Sequence, residues 1–176
     1  MTTKRMNAMV RACAAGVAML AVGLLAGPGT AVAGEAGHDA RVARGKYLVT
    51  ISGCNDCHTA GYLENGGAVP QSQWLAGSTV GYQGPWGTTY AANLRQVVAR
   101  QTEAQWVQNA RKERLPPMPW FNVAKMTDED LKAVYAFIRS LGDTGQPVPA
   151  YVAPGGKVST PYFVFVPVMD QKQAAR

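Results

Sequence analysis

The chain has 176 residues, 47% hydrophobic and 16% charged, which allows a buried core and excludes wholesale disorder. That length holds one domain with extensions, and three Cys and two His are too few for a zinc cluster or a multi-centre metal protein. The formal net charge of +6 points to acidic partners.

Part of that charge belongs to the first segment. Lys4, Arg5 and Arg11 precede an apolar run over residues 12–26, Gly27-Pro28-Gly29 breaks it, and Ala31-Val32-Ala33 offers small residues to a signal peptidase. The run is 15 residues, short of the ~20 that span a bilayer. Residues 1–33 therefore read as an export signal cleaved after Ala33, and an uncleaved anchor is the alternative. Cys13 lies within it and lacks the context of a lipid-attachment cysteine. Removing three of the 17 basic residues and none of the 11 acidic ones leaves a charge of +3. No Lys/Arg cluster remains, so nucleic acid is not an expected partner. Export places Cys54 and Cys57 in an oxidising compartment.

Residues 39–49 read as a first helix, with Asp39 as N-cap and Val42, the Lys46 stem, Leu48 and Val49 as its apolar face. Gly45 weakens that helix unless another helix packs closely there. His38 reads as a surface histidine in the lead-in.

Cys54-Asn55-Asp56-Cys57-His58 follows, the haem c attachment signature. Two thiols three residues apart share one side of a helical turn and can add to two vinyl groups along a porphyrin edge. The adjacent His58 then serves as proximal iron ligand. A disulfide, a thioredoxin-type pair and a zinc site are the alternatives. The second wants a βαβ context that the sequence lacks, and the third wants four tetrahedral ligands.

Residues 61–92 are rich in Gly, Pro, Ser and Tyr and read as a long haem-wrapping loop. Trp74, Trp86 and Tyr90 are its candidate haem-edge or propionate contacts, and Trp120 is a further haem contact. Thr102-Glu103-Ala104-Gln105 is a capping box opening a helix to about Arg114, with Trp106, Val107 and Ala110 on one side. Met118 lies 60 residues after His58 within Leu115-Pro116-Pro117-Met118-Pro119-Trp120, where prolines hold an extended path. It is the expected sixth ligand, with loop packing as the alternative. Met126 reads as a hydrophobic staple, and Met169 lies in the tail. Thr127 caps a stronger helix whose Leu131, Val134, Tyr135, Ile138 and Leu141 form one stripe, stopped by Gly142. Three acids in its first turn suit the helix dipole. Residues 144–176 form a Pro/Gly-rich extended tail. In it, Pro161-Tyr162-Phe163-Val164-Phe165-Val166-Pro167 reads as a strap along the protein's own surface, or as a docking strip for a dehydrogenase or membrane surface.

Taken in order, Gly45-Lys46-Tyr47-Leu48, Cys54-Asn55-Asp56-Cys57-His58-Thr59, Leu75-Ala76-Gly77, Gly84-Pro85-Trp86-Gly87-Thr88, Tyr90-Ala91-Ala92-Asn93-Leu94, Pro117-Met118-Pro119-Trp120 and Met126-Thr127-Asp128-Glu129-Asp130-Leu131 resemble a class I c-type cytochrome. They are most similar to the haem modules in the cytochrome subunits of periplasmic alcohol, aldehyde and gluconate dehydrogenases. The resemblance covers about residues 40–150. It implies an all-α fold, a cytochrome c domain over residues 34–143 whose first and last helices cross at Gly45. It also implies one covalently attached haem c with axial His58 and Met118. Two departures stand out: one haem module where such subunits usually carry three, and Leu94-Arg95-Gln96 where a Thr-Pro-Asp run is often found.

The function expected is that of an electron carrier rather than an enzyme. It would be a periplasmic monohaem cytochrome of a respiratory chain, passing single electrons between a dehydrogenase and a downstream cytochrome or oxidase. A haem enzyme, or a gas or redox sensor with a displaceable distal Met118, is the alternative.

Overall fold

The computed structural model describes residues 29–167, with side chains from residue 35 onward. Nearly all of the expected export signal, Cys13 and Met169 lie outside the described residues. The first helix, α1, spans Gly29–Ile51 and so begins ten residues before the expected Asp39. The lead-in is Ala- and Glu-containing, a composition that continues a helix already nucleated by tertiary packing further on, and Asp39 sits inside it rather than capping it. His38 is exposed on this lead-in, as expected.

Helix α2 (Cys54–His58) follows after a left-handed Gly53. A 3₁₀ turn (Gln71–Gln73), strands β1 (Gly81–Gly84) and β2 (Gly87–Tyr90), and helices α3 (Leu94–Ala99), α4 (Glu103–Ala110), α5 (Trp120–Val123) and α6 (Asp128–Ser140) complete the domain. A last strand, β3 (Tyr162–Val164), lies in the tail.

Helices α1 and α6 form the central crossing. The stripe read from the sequence is the core-facing side of α6: Leu131, Val134 and Ile138 are buried, Tyr135 and Leu141 are partly so, and Phe137 joins them. From α1 come Leu48 and Val49, and Trp106 of α4 packs on the same cluster while donating Nε1–H to the Leu131 carbonyl at 2.9 Å. Gly45 meets the Ala133 backbone directly, the close approach that the resemblance implied. Lys46 lays its ammonium 5.7 Å from the Trp74 ring centroid. The two later expected caps are present, though Asp39 is not one. Thr102 and Gln105 form a reciprocal capping box, and Thr127 accepts from the Asp130 amide. Helix α4 stops at Ala110, four residues before Arg114.

The helical core is as expected, but the chain is not purely α. Within the stretch read as a structureless loop, β1 and β2 form a hairpin across the two-residue turn Pro85-Trp86, pairing Gly81 with Tyr90 and Tyr82 with Thr89. Strand β3 adds in parallel on the other edge of β1, giving the order β2-β1-β3. The tail is therefore a strap on its own domain. Its edge is used, yet Phe163, Val164 and Phe165 remain about half exposed.

Arg95, at the position where the family's run departs, is buried and donates to three carbonyls: Gly142 at 2.7 Å, Ser72 at 2.7 Å and Leu141. It places a fixed cation on the negative end of α6 and ties that end to the 3₁₀ turn. Replacing Arg95 by Ala leaves these carbonyls unpartnered and is expected to cost about 3 kcal/mol, given ~1.5–3 kcal/mol for a hydrogen bond to a charged group. Urea denaturation of the holoprotein checks this. The midpoint falls at unchanged slope, and Arg95→Lys restores little because one ammonium cannot span the fork.

Candidate functional site

The attachment motif forms one short helix, so Cys54 and Cys57 project from the same turn with His58 at its end. Gly53, with φ +65°, turns the chain sharply from α1 into it, a conformation open to Gly at no steric cost. Both thiols are free. Burial, with the nearby Asp56 carboxylate adding to it, pushes the Cys54 thiol up to about 11. A thiol raised this far is a poor attacking nucleophile for thioredoxin-type exchange. Among the described residues no three His, Cys, Asp or Glu side chains gather into a metal site.

His58 is buried, and its Nδ1 lies 2.8 Å from the Ala92 carbonyl oxygen. A carbonyl only accepts, so Nδ1 carries the proton and Nε2 keeps a bare lone pair. Burial lowers the imidazole pKa, and the hydrogen bond to Ala92 partly opposes this. The ring is therefore neutral at pH 7, oriented, and ready to ligate through Nε2. This donor set fits a c-type haem: two thiols on one turn for the porphyrin edge and one imidazole with a fixed tautomer for the iron.

A polar chain locks the segment after His58. Thr59 Oγ1 donates to Asn55 Oδ1 at 2.7 Å and accepts from the Leu75 amide at 2.8 Å, and the Gly77 amide donates to the His58 carbonyl at 2.8 Å. Leu75 holds φ +60°, rare for a non-glycine, and its carbonyl accepts from the Leu94 amide. Asn55 is buried, and its Nδ2 has no protein partner. None of these roles has a pattern that a sequence reading could weigh, although Asn55, Thr59, Leu75 and Gly77 all fall within the motifs of the resemblance.

The aromatic candidates separate. Trp74 is a core residue, edge-on to Tyr62 and Phe137, with its N–H on the Val69 carbonyl at 2.8 Å. Trp86 sits at the hairpin turn against Phe165, ring centroids 6.4 Å apart. Tyr90 pairs its hydroxyl with Thr160 Oγ1 at 2.8 Å. Trp120 opens α5, half-buried, beside Phe121. Tyr82, which the sequence did not single out, is buried with its hydroxyl beside the Cys57 thiol; burial and that neighbour push its pKa up. Phe163 and Phe165 of the strap pack on Tyr82, both with centroids 5.9 Å away. Met118 is half-buried in the irregular segment before α5, its carbonyl accepting from the Trp120 amide at 2.8 Å. Met126 packs on the core cluster beside the start of α6, in keeping with a staple.

The family model for cytochrome c matches residues 42–142. The chain is 28% identical over 130 residues to the cytochrome c subunit of alcohol dehydrogenase (quinone) from Gluconobacter oxydans (strain 621H), covering 66% of this chain and 25% of that subunit. The chain thus spans about a quarter of the length of the relative it matches. No solved structure matches it. With the family model covering most of the domain and the attachment motif presented on one turn, the chain belongs to the cytochrome c family and carries a covalently attached haem c.

Proposed function

We propose that this electron-transfer cytochrome is a periplasmic monohaem carrier. Cys54 and Cys57 would attach the haem, His58 Nε2 and the Met118 thioether would hold its iron, and Trp86, Tyr90 and Trp120 would contact the macrocycle. The bound haem supplies one-electron iron chemistry. What carries the reading is the His58–Ala92 hydrogen bond, which fixes the tautomer that leaves Nε2 free beside two thiols on one turn. The chain's own work is then to attach, orient and shield: Ala92 aims the ring, and the α1–α6 core holds the turn that bears both cysteines. With two protein ligands, no position is left for substrate or O₂, so the role is a carrier's rather than an enzyme's.

The partners we infer are a dehydrogenase as donor and a downstream cytochrome or oxidase as acceptor, met at the periplasmic side of the membrane. Similarity to a dehydrogenase cytochrome subunit supports this. A charge of +3 on residues 34–176 makes docking depend on contact more than on long-range steering. The domain boundaries proposed are residues 1–33 for the export signal, 34–143 for the haem domain and 144–176 for the tail.

The ferric spectrum of the purified holoprotein tests the ligand set. A low-spin spectrum with a Met–iron charge-transfer band in the near infrared is expected. Met118→Ala abolishes the band and yields high-spin iron. A wild-type protein that is already high-spin points instead to a haem enzyme or sensor.

A further inference from the structure

The Met118 segment has little structure of its own. Residues 112–119 contain no helix or strand. Most of their hydrogen bonds stay local: Lys112 to Asn109, Arg114 to Glu113 and Asn109, Trp120 to Met118, Asn122 to Pro119. Among the described residues, one hydrogen bond ties this segment to a distant part of the chain. Thr89 Oγ1 donates to the Pro116 carbonyl at 2.8 Å, two residues before Met118. The other acceptor near that hydroxyl, the Tyr82 carbonyl, is at 3.4 Å. A hydroxyl has one proton, so the shorter bond takes it.

Thr89 is well placed to act as an anchor. It lies in β2 directly opposite Tyr82, and Tyr82 is buried beside Cys57. Strand β1 is in turn closed on its far edge by β3. The hairpin thus connects the attachment side of the domain to the methionine segment. Being β-branched, Thr89 also has few side-chain rotamers to choose from, so its hydroxyl is pre-aimed.

We propose that Thr89 is a positioning residue for Met118. Its hydrogen bond to Pro116 holds the segment where the thioether meets the iron, and so sets how readily that ligand is released. The inference rests on the axial role proposed for Met118. It concerns a free-energy difference between segment-held and segment-released states, which is read most directly by a competing ligand.

Imidazole is that probe. It binds the ferric holoprotein by displacing the methionine, so its apparent affinity rises with the fraction released. Thr89→Val keeps the branched shape and loses the hydroxyl. It is expected to bind imidazole about fivefold more tightly, the worth of one net hydrogen bond. The pH at which the charge-transfer band disappears should fall in parallel. Thr89→Ser, which keeps the hydroxyl, should return both readings toward wild type. Unchanged imidazole affinity in Thr89→Val overturns the proposal, even when its melting temperature falls, since that makes Thr89 a structural residue alone. Met118→Ala separates the two ideas. If the wild-type ferric spectrum does not change on that substitution, the axial reading of Met118 fails and the inference fails with it.

Discussion

Adding a single methyl at Gly45 lowers the melting temperature of the holoprotein by about 8 °C or more. Two opposing effects meet at this position. Ala is a better helix former than Gly by ~1 kcal/mol, so propensity alone predicts a gain. Against it stands the α1–α6 crossing. A Cβ on Gly45 overlaps the Ala133 carbonyl oxygen and lies 2.6 Å from its carbon and 2.7 Å from Phe137 Cβ. The obstacles are backbone and the first side-chain atom, neither of which can swing aside. The helices must separate, and Leu48, Val49 and Phe137 lose packing with them. Overpacking of this kind costs about 3 kcal/mol or more, which outweighs the propensity gain. For a domain of this size each kcal/mol moves the midpoint by roughly 4 °C. Gly37→Ala is the internal control, because nothing lies within 4 Å of its added Cβ. It should leave the midpoint unchanged or slightly raised. Equal behaviour of the two variants in thermal denaturation followed by circular dichroism would remove the crossing from its central place.

Gly45 also illustrates which parts of the molecule can be read without coordinates. Its role came from a motif match, and the geometry then supplied the reason. The capping box at Thr102, the N-cap at Thr127 and the α6 stripe were legible because each is a local pattern whose physics is complete within one or two turns. Helix α3 was not legible. Its six residues are too few to show a period, and it is held by long-range partners: Val98 in the core and Arg95 on the carbonyls at the end of α6. The hairpin did leave a signal, since Gly81-Tyr82-Gln83-Gly84 and Gly87-Thr88-Thr89-Tyr90 flank a two-residue Pro85-Trp86 turn. Strands of four residues, each opening on glycine, carry too little alternation to stand out from a Gly-rich loop. A strap was one of the two readings open for the tail, and its parallel register on β1, Gly81 against Tyr162, joins distant parts of the chain and has no local marker.

The same contrast applies at the site. Cys54, Cys57 and His58 announce themselves because covalent chemistry fixes their spacing. Ala92 does not, because its contribution to orienting His58 is a backbone carbonyl that any residue could offer. Thr89 and Asn55 are likewise silent in sequence, since their partners are set only by the folded chain.

Replacing both cysteines by serine removes the haem from the denatured polypeptide altogether. Cys54→Ser/Cys57→Ser protein run on a denaturing gel should show no haem stain, whereas wild type retains it. The single variants discriminate more finely. With one thiol left on the turn, one thioether still forms, so Cys57→Ser keeps covalent haem through Cys54 and its reduced pyridine adduct shifts to the spectrum of a haem with one free vinyl group. A disulfide reading predicts the opposite pattern, since losing either cysteine destroys the bridge as fully as losing both. The double variant also changes what stability depends on. Covalent haem stays with its chain at any dilution, whereas a haem held only by side chains stabilises the fold in proportion to its occupancy, about 2.7 kcal/mol at a hundredfold excess over its Kd and nothing when diluted away. The melting temperature of the double variant should therefore climb with added haem, and that of wild type should not. The His58 ring, aimed by Ala92 and neutral through burial, survives both substitutions. A double variant that binds no haem at any concentration would thus locate the decisive contribution in the thioethers. One that binds it reversibly, with its melting temperature following the haem supplied, assigns to the cysteines permanence of attachment and to His58 the orientation of the iron.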